Sequence, residues 1–336
     1  MMEVLECSLC GELIDSNEPH VTAIVPFYKS EDHVQHVLEF ISDLNNKIKG
    51  GVNAIFVIDG SPDKAEEIIR ESIEKSPYPV QVIALSRNFG VGPALHAALA
   101  DESNSCMSMV FGSDLQEPND LFVKFAESIL SGECSVALGQ RESRDDPLGM
   151  RITSTIYWFL YRKLISRDTP KGGYDVFGIS TVARQALVAL PEQNTNITAQ
   201  VQWIGFKRKY FSFVRQARIS GKSTWTFRKR FGLFIDTFLG FSDKFLLLIY
   251  SVAIFLIGFG LLIGTLVAVS ENLSDRVNNL LTSMFFFSQG VVVLTIALIG
   301  SISVRNFDNS KNRPKYIIET TFQNSRGREI LQRGKQ

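Results

Sequence analysis

A turn bearing polar side chains follows each of the chain's first four apolar runs, and acidic, amide or guanidinium groups stand in three of them. Pro26-Phe27-Tyr28 closes the first run, Asp59-Gly60-Ser61-Pro62-Asp63 the second, and Ser86-Arg87-Asn88-Phe89-Gly90 the third. Ser113-Asp114-Leu115-Gln116-Glu117-Pro118 closes the fourth. Any one of these alone is an ordinary turn. Four of them at successive strand ends make one rim, which is harder to explain as punctuation. Oxygen ligands such as the Asp114 carboxylate and the Gln116 amide suit a hard divalent cation. A guanidinium such as Arg87 suits an anionic group. The plainer readings are a helix cap for Asp114, a turn-forming aspartate for Asp59 and a solvated Arg87.

The rim requires strands ending together. Val21–Pro26, Val52–Ile58, Val80–Ser86, Met107–Phe111 and Ser135–Gly139 read as strands. Between them, Glu31–Lys49, Pro62–Lys75, Val91–Ala100 and Pro118–Leu130 read as helices, the first from the spacing of Val34, Val37, Leu38, Ile41, Leu44 and Ile48. This alternation predicts a mostly parallel sheet covered on both faces, with ligands at the carboxyl ends of the strands. Farther on, Val176–Ser180 and Lys209–Val214 read as strands, and Thr195–Ile204 as a helix.

Composition excludes little and locates much. Lys plus Arg and Asp plus Glu each number 35, so no general attraction to nucleic acid is implied and anion binding must come from local clusters. Residues 1–19 carry no secretory pattern and read as a poorly ordered extension. Cys7-x-x-Cys10 is half of a zinc spacing without a second pair, while Cys106 and Cys134 lie in apolar runs and read as core. Phe245–Val269 and Leu281–Val304 are uncharged and apolar. At ~1.5 Å per residue each is long enough to cross a ~30 Å hydrocarbon core. Arg228, Lys229, Arg230 and Lys244 before the first, and Arg305, Lys311, Arg313 and Lys315 after the second, place both flanks and both termini in the cytoplasm. The expected division is an extension at 1–19, a catalytic domain at 20–220, amphipathic juxtamembrane helices at 221–244, two transmembrane helices at 245–304 and a cytoplasmic tail at 305–336.

These motifs resemble glycosyltransferase family 2, and within it the membrane-anchored polyprenyl-phosphate glycosyltransferases, which include bactoprenol glucosyltransferases and dolichol-phosphate mannose synthases. The resemblance rests on Leu85-Ser86-Arg87-Asn88-Phe89-Gly90, Asp114-Leu115-Gln116-Glu117-Pro118, Gly172-Gly173-Tyr174-Asp175, Gln202-Trp203-Ile204-Gly205-Phe206 and Gly221-Lys222-Ser223-Thr224-Trp225-Thr226, and on the two apolar spans. It covers roughly residues 20–305 and implies a GT-A (Rossmann-like) α/β fold. The sequence also departs from the family pattern. Tyr28-Lys29-Ser30 stands for the usual Tyr-Asn-Glu, Ile58-Asp59-Gly60-Ser61 for Asp-Asp-Gly-Ser, and Gly112-Ser113-Asp114 for Asp-x-Asp.

The resemblance implies inverting transfer of a sugar from a nucleotide-sugar to a polyprenyl phosphate at the cytoplasmic membrane face. Mg²⁺ or Mn²⁺ would neutralise the diphosphate leaving group, with Asp114 and Gln116 as its ligands. Asp59 is expected to hold the base or ribose, and Arg87 and Asn88 the diphosphate or sugar. Pro26, Tyr28, Gly90 and Ser113 complete the donor site. The acceptor phosphate is already anionic, so alignment rather than a general base is required. For that phosphate, Arg218, Lys222 and Ser223 beside the flexible Gly221 are the candidates within the cluster Arg215, Arg218, Lys222, Arg228, Lys229 and Arg230. A hydroxyl acceptor would instead need a base, for which Asp175 and Glu192 are present. Two other readings are a catalytically silent membrane scaffold, supported by Gly112 and Ile58, and a polysaccharide synthase, opposed by Gln200-Val201-Gln202-Trp203, which lacks the Arg of the Gln-x-x-Arg-Trp segment. A homo-oligomer is compatible with the sequence.

Overall fold

The computed structural model describes residues 20–101, 105–142, 158–159, 161–163, 174, 176–190, 196–216 and 313–327, with the backbone of 4–6 and 13–15 and separate helical positions between 281 and 310. The main strands are β3 (Val21–Phe27), β4 (Val52–Ile58), β5 (Val80–Leu85), β6 (Met107–Val110), β7 (Val136–Arg141), β8 (Val176–Ser180), β9 (Arg208–Phe213) and β10 (Ile318–Gln323). They form an eight-stranded sheet in the order β10-β5-β4-β3-β6-β8-β7-β9. All but β8 and β10 run in the same direction. A separate antiparallel pair, β1 (Val4–Glu6) and β2 (Leu13–Asp15), lies in the segment expected to be unstructured.

Alternation along the strands builds two cores. Val21, Ala23, Val25 and Phe27 of β3 face one layer together with Val52, Ala54, Phe56 and Ile58 of β4, whereas Ile24, Ile55 and Val57 face the other. The first layer is covered by α1 (Val34–Lys47), α2 (Ala65–Ser72) and α4 (Asn119–Leu130), the second by α3 (Val91–Leu99), α5 (Thr181–Val188) and α6 (Ile197–Trp203). In α1 the buried Val34, Val37, Leu38, Ile41 and Leu44 mark one helical face. That helix stops where Ile48 turns extended and Gly50 and Gly51 take positive φ of 87° and 79°.

The chain walks from β3 through β4 to β5, then returns to place β6 on the other side of β3. The order therefore reverses between β3 and β6, and a crevice opens at their carboxyl ends. Tyr28 and the Gly112–Gln116 turn stand there.

The chain divides into two compact units, one comprising Met1–Leu233 with Pro314–Gln336, the other Phe234–Arg313. The segment expected as a C-terminal tail contains regular structure. Its residues 318–323 are strand β10, paired antiparallel with β5 at the sheet edge, with Ile318 opposite Leu85 and Gln323 opposite Gln81. An exposed edge strand shows little apolar alternation, and Ile318-Glu319-Thr320-Thr321-Phe322-Gln323 gave no strong signal for that reason. Among the described residues no helix is long and apolar enough to cross a membrane. The first expected span, 245–269, and the juxtamembrane helices at 221–244 lie outside the described residues. Only separate helical positions of the second span are described.

Candidate active site

Three of the four turns are stitched together by side chains of the second. Asp59, at the end of β4, is 3% exposed, and its two carboxylate oxygens accept from Phe89 N at 2.7 Å and Gly90 N at 2.9 Å. Its own carbonyl accepts from Asn88 Nδ2 at 3.3 Å. Gly90, with φ 96°, is the residue before α3 and has no side chain to cap it, so Asp59 supplies the capping anion from a neighbouring turn. Burial pushes the Asp59 carboxyl up, while the two amides and the Arg87 charge pull the other way. Gly60 has φ 53°, and a Cβ there would lie 2.2 Å from Arg87 C and 2.4 Å from Asn88 N. The two turns are in backbone contact, and only glycine permits it.

On the other side, Lys29 N donates to Ser61 Oγ at 2.7 Å, and Ser61 Oγ donates to Asp63 Oδ1 at 2.5 Å. Asp63 Oδ2 accepts from Glu31 N at 2.9 Å, and Glu31 Oε2 accepts from Lys64 N at 2.8 Å. These bonds hold Lys29 at φ 53°, a left-handed conformation uncommon for a residue with a Cβ. Lys29 stands where the family pattern has Asn, a residue that tolerates this conformation better. Its ammonium lies 5.5 Å from the centre of the Tyr28 ring.

The donor-site candidates are accordingly gathered along one rim. Pro26 and Tyr28 are half-buried at the end of β3, and Arg87 and Asn88 are exposed on the clamped loop. The Arg87 guanidinium lies 4.1 Å from the Phe89 ring centre, and its Nη1 donates to Asn88 O at 3.3 Å. Ser113 and Asp114 are half-buried after β6. Arg218, Lys222 and Ser223, together with Gly172, Gly173, Asp175 and Glu192, lie outside the described residues. Tyr174 is buried, and its hydroxyl donates to Thr198 O on α6.

The departures from the family pattern acquire separate physical meanings. Ile58 is 2% exposed and part of the apolar core, so the side chain at that position does not reach the rim. At Gly112 a Cβ would come within 2.7 Å of Asp114 Oδ1. The Asp114 carboxylate therefore leans over the α-carbon at the position where the family pattern has another acid. Leu115, with φ 45° and only 6% exposed, makes the tight bend that separates Asp114 from Gln116.

Gln116 is 6% exposed, and its amide is engaged. Its Oε1 accepts from Arg215 Nη2, its Nε2 donates to Gln216 O at 3.1 Å, and its carbonyl accepts from Gln216 N at 2.8 Å. Sequence reasoning placed Arg215 only in the basic cluster considered for the acceptor phosphate. The structure puts it, one turn beyond β9, on the side chain expected to be a metal ligand. Residue spacing could not reveal this, because residues 116 and 215 meet only once β9 pairs beside β7. Among the described residues no group of three His, Cys, Asp or Glu side chains could hold a metal ion. The residues present fit a hard cation that arrives with phosphate oxygens and water around it, with Asp114 as the protein's carboxylate.

The model of the family described as glycosyl transferase family 2 matches residues 22–190. The chain belongs to that family. It is a glycosyltransferase with an α/β, GT-A-like fold and a mixed sheet, and β4 to α5 fall within the matched residues. A bactoprenol glucosyl transferase of Shigella phage SfV is 27% identical over 312 residues, 90% of this chain and 99% of that protein. An uncharacterized glycosyltransferase of Bacillus subtilis, YkcC, is 27% identical over 303 residues, 89% of this chain and 93% of that one. Among solved structures, a mannosyltransferase from Pyrobaculum calidifontis in complex with GDP-Man and Mn²⁺ is similar with a TM-score of 0.45 and 14% identity, over 61% of this chain and 59% of that one.

Proposed function

We propose that the chain transfers a sugar from a nucleotide-sugar to a polyprenyl phosphate at the cytoplasmic face of a membrane, with inversion at the anomeric carbon. The observation that carries this reading is the length of the likeness to a bactoprenol glucosyl transferase. That likeness takes in 90% of this chain, whereas the family domain ends at residue 190. It therefore extends through the apolar stretches at 245–269 and 281–304, which suit a lipid acceptor. Those stretches, with cations on their outer flanks, support a two-span anchor with both termini in the cytoplasm.

In the reaction an oxygen of the acceptor phosphate bonds to the anomeric carbon as the bond from that carbon to the donor's diphosphate breaks, releasing a nucleoside diphosphate. The attacking oxygen carries negative charge at neutral pH, so the site's work is alignment and electrostatics. Arg87 and Asn88, held by the Asp59 clamp, face the donor at the carboxyl end of β5. Tyr28 and Pro26 border the crevice where the strand order reverses. Asp114 would hold Mg²⁺ or Mn²⁺ together with the diphosphate, and the ion would neutralise charge on the leaving group. Arg218, Lys222 and Ser223, beyond the described residues, remain the candidates for the acceptor phosphate. Their neighbours Arg215 and Gln216 are bonded to Gln116, which supports this reading.

The test is to incubate membranes holding the protein with a panel of radiolabelled nucleotide-sugars and extract the lipid. Label in the organic phase, dependent on Asp114, is expected for one donor. Hydrolysis of the donors with no labelled lipid would reject the polyprenyl acceptor.

A further inference from the structure

The strand that follows the expected spans is joined to the loop carrying Arg87. In the antiparallel pairing of β10 with β5, Gln323 to Thr320 stand opposite Gln81 to Ala84, and past a register shift at Glu319 Ile318 stands opposite Leu85. The ladder then runs one step past the strand, where Ser86 N donates to Ile317 O at 3.0 Å. The next residue is Arg87. On its other side the same loop is held by Asp59 and by the close approach of Gly60. The Ser86–Gly90 loop is thus fixed from β4 within the sheet and from β10 at its edge.

The register of β10 is set at its far end by Asn324, which is fully buried. Asn324 Nδ2 donates to Ile73 O at 3.1 Å and Tyr78 O at 3.0 Å. Its Oδ1 accepts from Val80 N at 3.0 Å and Gly327 N at 2.9 Å. Its own backbone N donates to Val80 O at 3.1 Å. Both donors and both acceptor positions of the amide are satisfied, an arrangement that one residue type in one register provides. Packing along the strand agrees, with the Arg70 guanidinium 3.6 Å from the Phe322 ring centre and Gln323 Nε2 donating to Gln81 Oε1 at 3.2 Å. Before the strand, Lys315 Nζ donates to Leu190 O at the end of the α5 segment. An edge strand whose side chains are mostly exposed has little else to specify its register.

We propose that β10 is part of the donor site's scaffold and that Asn324 is a positioning residue for it. Asn324 anchors the Thr320–Gln323 stretch of the strand, and with the one-residue shift at Glu319 that anchorage brings the Ile317 carbonyl onto Ser86 and so aims Arg87 and Asn88. The proposal rests on the reading of Arg87 and Asn88 as donor contacts.

The test compares Asn324→Ala, Arg87→Ala and the unaltered full chain in detergent, using the nucleotide-sugar selected by the panel and polyprenyl phosphate. Donor KM, acceptor KM, kcat and hydrogen exchange of the 86–90 amides are measured for each. Asn324→Ala is expected to raise donor KM about tenfold, leave acceptor KM unchanged, and speed exchange at residues 86–90 relative to β3. A chain ending at residue 316 is expected to show the same donor defect and to regain donor affinity when a synthetic 317–327 peptide is added. Should that shorter chain not fold, Asn324→Ala decides alone. A fall in kcat with both KM values and loop exchange unchanged means only a smaller folded fraction, and overturns the proposal, as does an unaltered Asn324→Ala enzyme. Arg87→Ala with unaltered donor KM would overturn the donor reading itself, and the proposal with it.

Discussion

Replacing Asp59 by Ala removes a buried anion that holds two backbone amides. Both bonds, at 2.7 and 2.9 Å, are charge-assisted, and such bonds contribute about 1.5–3 kcal/mol each, so the gross loss is about 3–6 kcal/mol. Against this, the variant no longer buries a carboxylate, a cost that also pushes the Asp59 pKa up. Allowing for that offset, a net loss of about 2 kcal/mol falls on the ordering of the Ser86–Gly90 loop. If the donor binds the ordered loop, 2 kcal/mol corresponds to roughly a thirtyfold rise in donor KM at 1.4 kcal/mol per tenfold. Asp59→Asn keeps one acceptor oxygen and turns an NH₂ toward the other amide, so its KM should fall between the two. The assay is initial-rate kinetics at saturating acceptor, with thermal unfolding run in parallel. Asp59→Ala with native donor KM, whatever its Tm, would refute the clamp as a determinant of donor binding.

Three further outcomes follow from the same geometry. Gly60→Ala should destabilise the domain by ~2–4 kcal/mol, because its Cβ would overlap the Arg87–Asn88 backbone at a residue with φ 53°; a Tm within one degree of the native value would contradict this. Gly112→Ala should cost stability little, since its Cβ meets only the Asp114 carboxylate, yet by turning that group it should raise the half-activating Mn²⁺ concentration about tenfold; an unchanged Mn²⁺ titration would remove Asp114 from the metal site. For pH, burial holds Asp59 above its ordinary 3.8. The folded chain therefore takes up this proton before the unfolded one, and the group's contribution to stability is greatest at low pH and is lost as pH rises through the raised value. Protonation also removes one acceptor from the clamp. Donor KM should consequently rise on acidification, while the Tm advantage of the native chain over Asp59→Asn falls as pH rises. A native donor KM with the same pH dependence as that of Asp59→Asn would contradict it.

The strands and helices of the catalytic domain were legible because each is short, amphipathic or wholly apolar, and ended by glycine, proline or a polar turn. The rim was legible for the same reason, since its residues follow the strands directly. What each rim residue does was less so. Asp59 reads as a contact to the base or ribose, and its hold on the Phe89 and Gly90 amides is not visible in the sequence because it depends on β4 lying beside β5. Ile58 reads as support for a silent scaffold until its side chain is seen in the apolar core. Gln116 and Arg215 are brought together by pairing between strands distant in sequence. Strand β10 was missed because an edge strand needs few apolar residues, and its decisive residue, Asn324, is a buried amide that a sequence pattern assigns to a turn.

The central claim is tested most directly by purified protein in detergent with the selected nucleotide-sugar, polyprenyl phosphate and Mg²⁺ or Mn²⁺, measuring lipid-linked sugar and released nucleotide together. The account predicts one nucleoside diphosphate released per lipid-linked sugar formed, with neither product formed by Asp114→Asn. Release of a nucleoside monophosphate, or of the diphosphate at the same rate with no polyprenyl phosphate present, would contradict transfer of a sugar to the lipid phosphate.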